Sequence, residues 1–152
     1  MLVGVISDTH GLLRPEALEA LAGVEHILHA GDVGNFDFLE RLGEIAPVTA
    51  IRGNVDVYGD CAELPATEAV ELDGCFVYMV HSIDDLDIDP RAAKVDVVVY
   101  GHSHQASAVE REGVLYLNPG SAGPRRFSLP VTVALLRLDD GKATAEIVEL
   151  VG

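Results

Sequence analysis

The alternation of its first third constrains this chain more than any other feature. Met1–Ser7 is a short apolar run and reads as a buried strand. Arg14–Ala22 follows, with Pro15 suited to a first helical turn and Ala17, Leu18, Leu21 and Ala22 on one face. His26–Ala30 reads as a second strand and Val48–Arg52 as a third. Between them Asn35–Ala46 places Phe38, Leu39, Leu42, Ile45 and Ala46 at helical spacing. Strand, helix, strand, helix, strand in this order implies a parallel sheet with right-handed crossovers.

The remainder is mostly β. Thr67–Leu72 and Cys75–Val80 flank Asp73-Gly74, a strong hairpin signal. Val95–Tyr100 is a buried strand. Ala106–Glu110 and Val114–Asn118 turn around Glu112-Gly113, and Val131–Leu138 and Ala143–Leu150 around Asp140-Gly141. The pattern predicts an α/β fold of two stacked mixed sheets with helices outside. At 152 residues and 49% hydrophobic, the chain fits one domain, residues 1–152, with one core. The longest apolar run, Cys75–Val80, has six residues, whereas a membrane-spanning helix needs about 20. The N-terminus carries no signal-peptide pattern, and Cys61 and Cys75 form neither a CxxC motif nor a disulfide framework. Both observations suit a reducing cytoplasm.

Twenty-five acids against ten bases give a net charge of −15. Such a chain repels polyanions at long range, which argues against a nucleic-acid partner. Bound divalent cations would reverse that field locally. Lysine is confined to Lys94 and Lys142, so the acidic surface also fits a salt adaptation. Arg52, Arg125 and Arg126 are the bases available to position a phosphate, and the aspartates of Asp84–Asp89 read as a solvated loop.

Five short motifs stand where strands should end: Asp8-Thr9-His10, Gly31-Asp32, Gly53-Asn54, Val80-His81 and Gly101-His102-Ser103-His104. Each offers a carboxylate, amide oxygen or imidazole that binds divalent metals. Three have a glycine just before the polar residue, permitting a sharp exit and close backbone approach. Ligands bind α/β sheets outside the carboxyl ends of strands, so distant motifs should converge on one rim. Asp8 and His10, like His102 and His104, are two apart, and in extended backbone such pairs point to one side. Mixed oxygen and nitrogen donors suit Mn, Fe, Co, Ni or Zn more than Ca or Mg. Seven ligands are too many for one tetrahedral ion and suit two ions sharing a carboxylate. Two ions about 3.5–4 Å apart can clamp a phosphate and deliver a bridging hydroxide for in-line attack.

The ordered set DxH, GD, GN, H, GHxH resembles the calcineurin-like metallophosphoesterase superfamily. The DTH start, the GNxD form at Gly53–Asp56 and the run Asn118-Pro119-Gly120-Ser121 resemble its short YfcE-like phosphodiesterase branch, over Met1 to about Gly123. The resemblance implies a four-layer α/β/β/α sandwich. It also implies Asp8, His10 and His104 on a first metal, Asn54, His81 and His102 on a second, and Asp32 bridging both. Manganese is the first choice of metal, with Fe, Ni, Co or Zn as alternatives. The chemistry expected is hydrolysis of a small phosphodiester, with Asp32, Asn54, His81 and His102 in the catalytic set, and a homodimer is compatible.

Two positions depart from the family pattern. Val55 stands where larger members carry a histidine that assists the leaving group, and Ser82 stands where the family usually has glycine. The blander readings are also clear. Asp8, Asp32 and Asn54 each have the composition of helix caps or turns, His81 could be a satisfied core histidine, and His102–His104 could be a loop. His29 reads as a core residue orienting Asp32; Asp56 reads as a turn former or a hydrogen-bonding neighbour of the site. Ser121 lacks the GxSxG frame of a hydrolase nucleophile. Two rivals to the diesterase remain, a phosphomonoesterase on the same site and a protein-interaction scaffold like the retromer subunit of this short fold.

Overall fold

Ten strands and two short helices follow one another in the order the hydrophobic pattern predicts, in a computed structural model that describes residues 1–151. The first sheet has the order β10-β9-β1-β2-β3, from β1 (Leu2–Ile6), β2 (His26–His29), β3 (Val48–Ala50), β9 (Val131–Asp139) and β10 (Lys142–Val151). Its β1, β2 and β3 run parallel, and β9 returns antiparallel to β1. The second sheet has the order β4-β5-β6-β8-β7, from β4 (Thr67–Leu72), β5 (Cys75–Val80), β6 (Val97–Val99), β7 (Ser107–Arg111) and β8 (Val114–Asn118). Here β5, β6 and β8 are parallel, with antiparallel strands at both edges. Both sheets are mixed.

The main core lies between the sheets. Val3, Val5, Leu28 and Leu136 of the first, with Ile51 just past β3, face Val77, Met79, Val97, Val99 and Leu117 of the second. Aliphatic side chains alternate on these strands because successive residues point to opposite faces. The outer face of the first sheet is covered by α1 (Pro15–Ala20) and α2 (Asp37–Gly43), which bury Ala17, Phe38, Leu39 and Leu42 against Ile6, Ile27 and Val133. Both helices are shorter than the periodicity predicts. Pro15 fixes the start of α1, which ends before Gly23 at φ +90°, and α2 unwinds at Gly43 into turns. The outer face of the second sheet carries no α-helix among the described residues. The 3-10 turn Ile83–Asp85 and the segment after it cover Tyr78, Tyr100 and Tyr116 with Ile83, Leu86 and Val95. That stretch, with Asp84, Asp85, Asp87, Asp89 and Pro90, lacks an apolar stripe long enough for a helix. The fourth layer of the sandwich is therefore irregular where the family resemblance implied helix. No helix among the described residues is long and apolar enough to cross a membrane.

The sandwich sets the site. All six parallel strands point their carboxyl ends to one rim, the position the strand order dictates for a ligand.

Candidate metal centre

Each parallel strand delivers one or two polar side chains at or just past its end. Asp8 and His10 follow β1, Asp32 follows β2, Asn54 follows β3, His81 follows β5, and His102 and His104 follow β6. Asn118 closes β8. Two clusters result, Asp8–His10–His104 and Asp32–His81–His102, with the ligand atoms of each within 4.8 Å of one another. Asn54 joins the second, its Nδ2 lying 3.4 Å from His102 Nδ1.

The clusters share a wall of carboxylate. Asp32 Oδ2 is 3.4 Å from His10 Nε2 and 3.1 Å from His81 Nε2. Asp8 Oδ1 is 3.5 Å from both His10 Nε2 and His104 Nε2, and 3.8 Å from His81 Nε2. The two imidazoles of the first cluster bring their Nε2 atoms to 3.3 Å. A metal–ligand bond of about 2.1 Å gives polyhedron edges of about 3.0–3.4 Å, so these atoms stand at nearly the spacing of ligands around a cation.

Polar atoms left over inside the cluster favour the same reading. Asp8 Oδ1 and His81 Nε2 are buried and make no hydrogen bond. His81 Nδ1 lies 2.7 Å from the Ala30 carbonyl, so it carries the ring proton and donates it there. In the neutral ring the Nε2 lone pair then faces carboxylates, an arrangement that calls for a proton or a metal ion between them. Burial opposes a charge on His81, yet the Asp32 carboxylate, the Ala30 carbonyl and Asp8 prevail and raise its proton affinity. Burial likewise opposes the Asp32 carboxylate, but His81, the Val55 N–H and His10 outweigh it and hold Asp32 well below the usual range. Burial lowers the pKa of His104; Asp8 opposes that effect, while Arg126 and His10 add to it. The residues present fit divalent cations.

Backbone strain is concentrated on these residues. Asp8, His10, Asp32, His102 and His104 all have positive φ, from 46° to 74°. The i, i+2 pairs are not extended, as their spacing had implied: Asp8 and His10 converge through left-handed conformations, and His102 and His104 part to serve different clusters. A left-handed non-glycine residue costs about 1–3 kcal/mol and persists only where its surroundings over-determine it.

Those surroundings are explicit. The Asp56 carboxylate, 3% exposed, accepts the N–H groups of Val33, Gly34 and Gly53 and so clamps the Asp32 loop to the Asn54 loop. His29 is fully buried: its Nδ1 accepts the Gly31 N–H, and its Nε2–H donates to Thr9 Oγ1, whose hydroxyl donates to the Val33 carbonyl. Burial pushes its pKa down to about 4, so the ring is neutral. Asn118 donates to the Gly101 carbonyl and to Ser103 Oγ, fixing the loop that carries both histidines. The three motif glycines interlock: a Cβ on Gly31 would meet His81, on Gly53 it would collide with Asp32, and on Gly101 with Ser7 and Asp8.

Sequence reasoning overlooked two of these groups. Ser7 Oγ donates to Asp8 Oδ2, which also accepts the His102 N–H from the other sheet, and Thr9 completes the His29 chain. A hydroxyl on each side of Asp8 at the end of an apolar run was the available signal. Ser121 spends its hydroxyl on the Asp8 carbonyl. Ser82 sits at φ −114°, a region open to any residue, so serine in place of glycine brings no strain. Val55 donates its N–H to Asp32 Oδ1 and leaves its side chain 45% exposed.

Residues 1–141 match the calcineurin-like phosphoesterase superfamily domain. A probable metallophosphoesterase of Methanothermobacter thermautotrophicus is 38% identical, covering 97% of this chain and 92% of its own length. The phosphodiesterase YfcE of Escherichia coli is 30% identical, covering 88% of this chain and 85% of its own. A solved archaeal phosphodiesterase superposes with a TM-score of 0.79 at 25% identity, covering 97% of this chain and all of that one. Vps29 of Entamoeba histolytica complexed with zinc gives 0.75 at 25% identity, covering 99% of each chain. The family's ordered motifs and its sandwich thus occur together in a chain that belongs to the calcineurin-like phosphoesterase superfamily, on its short YfcE-like phosphodiesterase branch.

Proposed function

We propose that the protein is a dinuclear, metal-dependent phosphodiesterase acting on a small diester. Asp8, His10 and His104 would hold one divalent ion, Asn54, His81 and His102 would hold the second, and Asp32, which faces both His10 and His81, would serve both. The observation that carries this reading is the pair of three-residue clusters with buried, unpartnered Asp8 Oδ1 and His81 Nε2 between them. When bound, two such ions supply Lewis acidity toward the phosphoryl oxygens and an activated water for in-line attack on phosphorus. Manganese is the first candidate, and the two free, buried cysteines suit a cytoplasmic setting.

The protein's own residues do the rest. Asp32 keeps its charge against burial because Val55 N–H and the imidazoles face it. His102, exposed at the mouth, is placed to contact a phosphate oxygen. As water adds to phosphorus it gives up a proton to solvent, the ester P–O bond breaks and the alkoxide leaves; the Val55 side chain offers it no proton. Turnover should therefore rise steeply as the leaving group's pKa falls.

The test is hydrolysis of bis(4-nitrophenyl) phosphate by metal-stripped protein before and after Mn²⁺ is restored, with 4-nitrophenyl phosphate as the monoester control. Restored diester turnover, lost together with metal binding in Asp32→Ala, supports the reading; full turnover by Asp32→Ala refutes the shared-ligand role. The likeness to Vps29 favours one alternative, a metal-binding scaffold. Folded protein that binds two ions and hydrolyses neither ester would establish it.

A further inference from the structure

A cleft of about 290 Å³ opens beside the second cluster, lined among others by Arg52, Asn54, Thr67, His81, Asp85 and Asp87. Its inner wall includes Asn54 and His81, the latter 5% exposed and with its Nε2 buried against Asp32 and Asp8 of the metal centre. The outer lip is acidic. Asp85 closes the 3-10 turn that begins just after His81, its N–H donating to the Ser82 carbonyl, and Asp87 follows two residues later. Both are exposed. Arg52 is the one base in the lining, and its Nη1 is tied at 2.7 Å to the Leu64 carbonyl, which keeps the guanidinium on the wall. One positive side chain therefore faces two negative ones, in a chain already carrying −15.

Asn54 and His81 belong both to this cleft and to the second cluster, so the cleft is continuous with the metal centre. We propose that the cleft receives one ester arm of the substrate, and that Asp85 and Asp87 select a cationic arm, such as an alkylammonium, over an anionic one. The inference rests on the phosphodiesterase reading above and narrows its substrate class to diesters with no second negative group on that arm. Arg52 offsets one carboxylate and serves the phosphate end, while the lip reads the arm's far end. Interactions of exposed charges are modest and screened by salt, so they grade substrates without excluding neutral ones.

The test uses manganese-loaded, full-length protein and three 4-nitrophenyl phosphodiesters whose second arm is propyl, 2-aminoethyl or 2-carboxyethyl. Expected kcat/KM at low ionic strength runs amine, propyl, carboxylate in falling order. In the Asp85→Asn/Asp87→Asn variant the amine-to-carboxylate ratio should fall about fivefold, and in the parent protein it should shrink likewise in molar salt. Because the readout is a ratio, a general loss of activity in the variant does not move it. Calorimetric binding of methylphosphonate monoesters with the same three arms should give the same order without turnover. Charge-blind hydrolysis, or a ratio the variant leaves intact, overturns the inference while propyl turnover still supports the diesterase. Failure to hydrolyse all three overturns both.

Discussion

Two sets of residues in this protein adopt the same unfavourable backbone conformation for different reasons. Asp73, Glu112 and Asp140 have φ of 48°, 51° and 47°, and each is followed by a glycine with positive φ. They form the tight turns joining β4 to β5, β7 to β8 and β9 to β10, where two successive left-handed residues match the twist of a hairpin. Asp8, Asp32, His102 and His104 share the conformation with no glycine after them, and His10, although Gly11 follows it at φ 84°, joins no hairpin. Their backbones are held by Asp56, by the His29–Thr9 chain and by Asn118. In the turns, adjacent residues set the geometry; at the site, strands far apart in sequence impose it. Strain of the second kind can be stored where chemistry needs it.

The comparison is most exposed at Asp56. Asp56→Ala leaves three N–H groups without their charged acceptor and should cost about 3–5 kcal/mol. Metal affinity should fall with it, because Asp32 and Asn54 lose their common clamp; Asp56→Asn should recover part of both. Chemical denaturation and metal titration of the same samples check this. A variant that loses stability but binds metal normally would break the claim that the clamp sets the site.

His29 gives the next largest effect. Its pKa drops from 6.5 to about 4 on folding because it is buried. Between those values the unfolded chain binds a proton that the folded one refuses, so stability falls as the pH falls through that window. The loss should reach about 3 kcal/mol near pH 4 and vanish above pH 6.5. In His29→Gln this part of the slope should be gone, as unfolding at a series of pH values would reveal. An unchanged slope would remove His29 from the set holding the site.

Legibility divides along the same line. Strands and hairpins were readable because alternation of apolar residues and the Asp-Gly and Glu-Gly pairs are local signals, and all ten strands stand where those signals put them. The motifs were readable as donors because carboxylate and imidazole advertise their chemistry. Their backbone conformations were not, since nothing in Ser7-Asp8-Thr9-His10 says that Gly101 and His102 from the other sheet will press on it. The helix ends were overrun for a related reason. Leu21, Ile45 and Ala46 keep helical spacing while the backbone already turns, because their burial needs only a place on the sheet, whereas Ala22, expected on the same face, is exposed.

The hairpins supply the smaller and cleaner tests. Gly113 has φ +83° and nothing within 4 Å of where a Cβ would stand, so Gly113→Ala measures backbone strain alone. It should cost about 1 kcal/mol and leave metal binding untouched. Glu112→Asn probes the same turn in the other direction. Asparagine tolerates the left-handed region that glutamate enters only under constraint, and it is preferred at this turn position. The substitution removes a 3.8 Å contact with Arg91, but both side chains are more than 70% exposed, so that pair contributes little. A gain of about 0.5 kcal/mol should remain, read as a small rise in melting temperature with activity unchanged. The equivalent relief at the site, His102→Gly at φ 74°, should stabilise the metal-free protein by a similar amount and weaken its hold on the second ion. A gain at the hairpin without one at His102 would mean that the site's conformation is not strained, and the contrast between the two sets would lose its energetic basis.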